Sequence, residues 1–141
     1  MTLRLNAALV DEIRREGERA YPAECCGVLA GRAGEVKEVL RLVPATNRRT
    51  DDVHRYLISP DDLRQIEVGL RSLGLEVLGS YHSHPDHPAA PSVFDTEQAW
   101  PWYSYIIVRV DGGRAVELTS WVLDDDRSTM HPESVDVLSE V

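Results

Sequence analysis

Between Leu75 and Asp95 the chain runs from an apolar stretch, Leu75 to Leu78, through Gly79-Ser80-Tyr81 into His82-Ser83-His84-Pro85. It then reaches Pro91-Ser92-Val93-Phe94-Asp95. The apolar lead-in predicts a buried strand that ends at the histidines. Side chains two apart on a strand share one face, so His82 and His84 can converge on one point. Ser92 followed three residues later by Asp95 resembles a capping box and predicts a helix from about Val93 to Trp100. The proline-bounded loop, Pro85 to Pro91, would return Asp95 on the first turn of that helix. Two histidines and a carboxylate, with a fourth position open to water, are the usual composition of a catalytic zinc site. An isolated His-x-His pair is more often two ordinary histidines; the placed Ser92 and Asp95 give this pattern its weight. The constellation predicts a metal-dependent hydrolase.

The rest of the chain reads as alternating strands and helices. Leu3 and Leu5 predict a short strand, and Asn6 caps a helix over 7–20 that Tyr21-Pro22 ends. Cys26 to Gly31 predicts a strand of small residues, and Gly34 lies in the turn before the alternating stretch Glu35 to Val43. Pro44 to Asp52 reads as a polar loop and His54 to Ile58 as a further strand. Ser59-Pro60-Asp61-Asp62 is a strong helix start, with Leu63, Ile66, Leu70 and Leu73 on one face and Gly74 as the stop. Tyr105 to Val110 and Ala115 to Leu123 predict a hairpin around Asp111-Gly112-Gly113. The segment from about Asp124 is acidic and polar and is expected to be flexible, although Val135 and Val137 suit an edge strand. The expectation is one α/β domain over residues 1–141: a mixed sheet flanked by helices.

Composition narrows the function. The formal charge of −9 over 141 residues lacks the basic surface that nonspecific nucleic-acid binding needs. No apolar stretch approaches the ~18 residues of a membrane span, and Met1 to Leu5 has no signal-peptide organisation. The two cysteines are adjacent at Cys25-Cys26, and a bridge there closes almost no loop. A cytoplasmic, reducing location is the expectation.

A bound water that attacks an amide also needs a group to take its proton and pass it to the leaving amine. Spacing alone does not choose among the acids, although Glu24, between Pro22 and the small strand, is a candidate. The whole motif does choose. Pro22-Ala23-Glu24-Cys25-Cys26-Gly27-Val28-Leu29-Ala30-Gly31, then His82-Ser83-His84-Pro85 and Ser92-Val93-Phe94-Asp95, resembles the JAMM/MPN+ zinc metalloprotease family across nearly the whole chain. The resemblance implies a cytidine-deaminase-like mixed sheet and one catalytic Zn2+ held by His82, His84 and Asp95. It implies Glu24 as general base and acid, Ser92 as the hydroxyl that stabilises the oxyanion, and Ser83 as a supporting neighbour of the ligands. It further implies a partner: a ubiquitin-like or sulfur-carrier protein with a C-terminal Gly-Gly, cleaved after that dipeptide, with cysteine as one example of a released amine. The tail would pair with an exposed strand edge.

Quieter readings compete at several residues. A Cys25 or Cys26 hydrolase would leave Ser92 and Asp95 without a purpose. His87 reads as an exposed loop histidine, Arg48-Arg49 as a solvated pair, and Trp100, Trp102 and Trp121 as core or groove-wall packing. A non-catalytic binding module on the same fold, or a zinc amidohydrolase with an unrelated small substrate, are the alternative functions. Oligomeric state is not legible.

Overall fold

The computed structural model describes residues 2–47 and 58–139. In chain order the elements are β1 (Leu3–Asn6), α1 (Ala7–Ala20), β2 (Cys26–Ala33), β3 (Lys37–Ala45), α2 (Pro60–Arg71) and β4 (Glu76–Pro85). They continue with α3 (Val93–Gln98), β5 (Ser104–Asp111), β6 (Arg114–Leu123), β7 (Met130–Glu133) and β8 (Val135–Leu138). The strand expected over 54–58 and the pair Arg48-Arg49 fall outside the described residues, apart from Ile58, which carries no regular structure. Among the described residues the strands form one sheet in the order β7-β6-β5-β4-β2-β3-β1-β8. It is mixed: β4 runs antiparallel to β2 and parallel to β5, and β1 is parallel to both β3 and β8. The fold is the α/β mixed sheet with flanking helices that the sequence predicts.

β7 and β8 occupy opposite ends of the strand order, yet only Ser134 separates them in the chain. The sheet must therefore curl until its ends come together. Helix α1 touches β1, β4, β5, β6 and β8, strands from both halves of the order, and so fills the inside of the curl. Its Ile13 joins Leu3, Leu5, Leu29, Leu78, Tyr81, Ile106, Val108 and Val110 in the main core. The helix starts as read: the Asn6 side chain accepts the Leu9 N–H at 2.9 Å.

Two glycines allow the close approaches this packing needs. A Cβ on Gly27 would lie 2.2 Å from the Tyr81 ring, and without it Tyr81 lies across β2, its hydroxyl donating to Glu16 Oε1 at 2.8 Å. Gly79 has φ +156°, and a Cβ there would sit 1.7 Å from Ser104 O, where the parallel β4–β5 pairing begins.

Several boundaries differ from expectation. The helix α3 ends at Gln98 rather than Trp100, because Ala99 is already extended and Pro101 biases the residue before it against helix. The segment after Asp124 carries two strands: β8 at the Val135 and Val137 positions, and β7, which the sequence reading lacked. Lys37, read as one residue of an alternating strand, is buried with 1% exposure. Its ammonium donates to Trp102 O and to Ser104 Oγ (3.0 Å) and pairs with Glu133 Oε2 at 3.7 Å.

Candidate active site

The convex face of the sheet carries the site. Tyr81 and Ser83 point toward α1, so their neighbours Ser80, His82 and His84 line the other face. β4 lies between β2 and β5 and is paired on both sides; no strand can be added to the histidine-bearing strand itself, so a pairing tail needs another edge.

His82 and His84 are each 1% exposed, and their Nε2 atoms lie 3.0 Å apart. Asp95 reaches both: Oδ1 is 3.3 Å from His82 Nε2 and Oδ2 is 3.1 Å from His84 Nε2. Zinc–ligand arms of 2.0–2.1 Å at tetrahedral angles separate ligand atoms by about 3.3–3.4 Å. The three separations fall close to that value, and the donor set of two imidazoles and a carboxylate fits zinc.

Tautomer and charge agree with this fit. His84 Nδ1 lies 2.8 Å from Pro88 O. A carbonyl only accepts, so Nδ1 carries the hydrogen and the Nε2 lone pair faces the cluster. Burial lowers the His82 pKa against the opposing pull of Asp95 and so favours the neutral ring that a metal needs. Burial alone would raise the Asp95 carboxyl, but the neighbouring His82 and His84 rings and the Ser92 N–H hold it well below the usual carboxylate range.

Asp95 owes its position to the start of α3. Ser92 is the N-cap: its Oγ accepts the Asp95 N–H at 3.0 Å, while Asp95 Oδ2 accepts the Ser92 N–H at 2.9 Å. One carboxylate thus completes the capping box and faces both histidines. Because the Ser92 oxygen accepts from the backbone, its own hydrogen remains for another acceptor. Ser92 is exposed, on the open side of the cluster.

Glu24 is 4% exposed. One of its carboxylate oxygens and one nitrogen from each histidine lie within 4.8 Å of one another. Ser83 explains how a residue 58 positions away in sequence is brought there. Its N–H donates to Cys25 O at 3.2 Å, and its Oγ accepts the Cys25 N–H at 2.9 Å. The hydroxyl stands in for a backbone carbonyl and continues the β2–β4 ladder one step past Cys26↔His82, up to the residue beside Glu24. Asn47 Nδ2 donates to Glu24 O at 3.3 Å from the other side.

The cysteines do not form a nucleophilic centre. Burial pushes the Cys25 thiol up to about 11 and the Cys26 thiol up to about 12, and a thiol held protonated is a poor nucleophile. His87 departs from its reading as an exposed loop residue: it is half-buried and stacked on His84. Trp100 is 63% exposed, a groove wall rather than core. With Tyr103, Tyr105, Leu63, Val28 and Ser80 it lines a groove of about 530 Å³ on the histidine face. Among the described residues no helix is long and apolar enough to cross a membrane.

Comparison with known proteins covers the same residues. The family model described as prokaryotic homologs of the JAB domain matches residues 6–124. The chain is 36% identical over 115 residues to a desampylase of Haloferax volcanii, a match covering 80% of this chain and 81% of the relative. It is also 36% identical over 115 residues to a probable TtuB-protein conjugate cleaving protease of Thermus thermophilus, covering 82% and 75%. The CysO-cysteine peptidase of Mycobacterium tuberculosis is 30% identical over 132 residues, covering 93% and 89%. A solved structure of a Desulfitobacterium hafniense protein superposes with a TM-score of 0.85 at 27% identity, over 99% of this chain and 94% of that one. The matched span contains Glu24, His82, His84, Ser92 and Asp95, and the chain belongs to the prokaryotic JAB family of JAMM/MPN-like proteins.

Proposed function

We propose that this protein is a zinc-dependent peptidase of the cytoplasm that hydrolyses the amide bond after the C-terminal Gly-Gly of a ubiquitin-like sulfur-carrier protein. The observation that carries the reading is the convergence of His82, His84 and Asp95 at 3.0–3.3 Å, with buried Glu24 alongside. The relatives named as a conjugate-cleaving protease and a cysteine peptidase support amide cleavage on such carriers.

His82, His84 and Asp95 would hold the ion. Zinc, when bound, acts as a Lewis acid and makes water a nucleophile near neutral pH. Glu24 takes the proton of the attacking water and delivers it to the departing amine, so one carboxylate serves as base and then acid. The Ser92 hydroxyl, with its oxygen engaged by the Asp95 N–H, donates its hydrogen to the developing oxyanion. Ser83 keeps Glu24 in place through Cys25. The leaving amine is a lysine side chain in a conjugate or free cysteine; the relative named as a conjugate-cleaving protease, at 36% identity, favours the isopeptide.

A carrier ending in Gly-Gly, joined by an amide to a lysine peptide and separately to cysteine, tests the proposal. The protein should bind one zinc per chain and release the amine, and a chelator should stop release. Glu24→Gln should retain zinc while turnover falls about 10²–10⁴-fold. Tight carrier binding without zinc or turnover would establish a binding module instead. Turnover of a small amide but of neither carrier conjugate would identify an unrelated amidohydrolase.

A further inference from the structure

We infer that His87 is a positioning residue for the metal site, holding the His84 ring in its ligating orientation by stacking on it. The inference rests on the reading of His82, His84 and Asp95 as metal ligands. The two rings lie with centroids 4.1 Å apart and planes 20° from parallel. His87 Nδ1 is 2.8 Å from Pro85 O, and His84 Nδ1 is 2.8 Å from Pro88 O. Both carbonyls accept, so each imidazole donates its Nδ1 hydrogen to a carbonyl at one end of the same four-residue turn. The result is a crossed clasp: each ring is tied to the backbone, and the faces close on each other.

For a metal-binding histidine the partner of the second nitrogen fixes tautomer and ring angle. The Pro88 carbonyl does this for His84 along one direction only, since a ring can still rock about a single hydrogen bond. The flat face of His87 removes that freedom and keeps water away from part of the His84 ring. An aliphatic residue would fill the space without the planar match, and the Pro85 bond holds the covering ring in register.

The surrounding turn has anchors besides His87. Asp86 accepts from the Tyr21 hydroxyl at 2.5 Å and from the Gly112 N–H at 2.8 Å. Further along, Ala89 O accepts from Thr119 Oγ1 at 2.7 Å. Anchors on α1's end, the β5–β6 turn and β6 therefore keep the loop in place, and loss of the imidazole falls on the His84 ring.

The test uses the full chain as wild type, His87→Ala and His87→Phe. Zinc release into a chromogenic chelator and the visible absorption of the cobalt-loaded protein are measured with the melting temperature of the metal-free form. His87→Ala should release zinc about tenfold faster or more, with an altered cobalt spectrum. His87→Phe, which keeps a flat ring, should recover most of both. The metal-free forms should melt alike. Zinc release and a cobalt spectrum unchanged in His87→Ala would overturn the role of His87. Should the alanine variant fold poorly, zinc release from a third variant, His87→Leu, decides, since it fills the space without a flat ring: about tenfold faster release than wild type supports the clasp, and release at the wild-type rate overturns it. If the wild type binds neither zinc nor cobalt, the metal-site reading itself fails.

Discussion

Cys25 and Ser83 face each other one step beyond the last regular pair of β2 and β4, and their bonds set what each can do. Because burial pushes the Cys25 thiol up to about 11, the neutral thiol dominates at every pH below that value. At pH 7–8 the thiolate is a small minority. Alkylation by iodoacetamide should therefore be slow at pH 7–8, should accelerate about tenfold per pH unit toward 11, and should not track the loss of peptidase activity under a chelator. Fast alkylation at pH 7 that destroys turnover would revive cysteine chemistry. At this scale the sequence was informative where spacing is short. His82, His84, Ser92 and Asp95 lie within fourteen residues, so strand periodicity and a capping box were enough to bring them together. His87 lies inside the same span yet was read as exposed, because its stacking depends on how the Asp86 turn folds back. That turn passes through a positive φ of 57° at Asp86, which no periodicity reports.

The element that presents Asp95 and Ser92 to the histidines is the six-residue helix α3. A helix this short gains little from its own hydrogen bonds, so its cap has unusual weight. Ser92 is assigned two tasks, capping through its oxygen and oxyanion donation through its hydrogen, and the tasks separate by measurement. Ser92→Ala should lower stability by about 1 kcal/mol through the lost cap and lower kcat by about 10²–10³ through the lost donor. Ser92→Thr, which keeps both atoms, should restore most of each. Lost stability with kcat intact, by denaturant titration and steady-state rates, would leave Ser92 as a cap alone. The start of this helix was legible because its signal is local. Its end was misplaced by two residues, since the apolar character of Ala99 and Trp100 masked the restriction that Pro101 imposes on the residue before it.

The whole molecule is governed by the curl of its sheet, and here the sequence said least. Lys37 and Glu133 stand at distant places in the strand order, β3 and β7, yet their side chains are each 2% exposed and 3.7 Å apart. Burial lowers the Lys37 pKa, and Glu133 opposes that shift. Ser120 Oγ donates to the other Glu133 oxygen at 2.9 Å. Neither residue announces burial: a lysine on an alternating strand ordinarily faces water, and Met130 to Glu133 lacks any apolar period, which is why β7 went unread. Removing one member leaves a buried charge alone. Lys37→Met and Glu133→Leu should each cost about 3–5 kcal/mol, whereas the two together should recover most of the loss. Additive losses in denaturant titrations of the three variants would show that the two side chains act independently.

The single-residue link at Ser134 has one more consequence. With β7 and β8 so close in the chain, one short terminal segment shields the outer backbone of β6 and of β1 together. A nick in the turn at 124–129 that released this segment would bare two hydrogen-bonding flanks at once, and unprotected flanks recruit neighbouring molecules. Resistance to self-association therefore depends on residues 130–138 staying docked on β6 and β1.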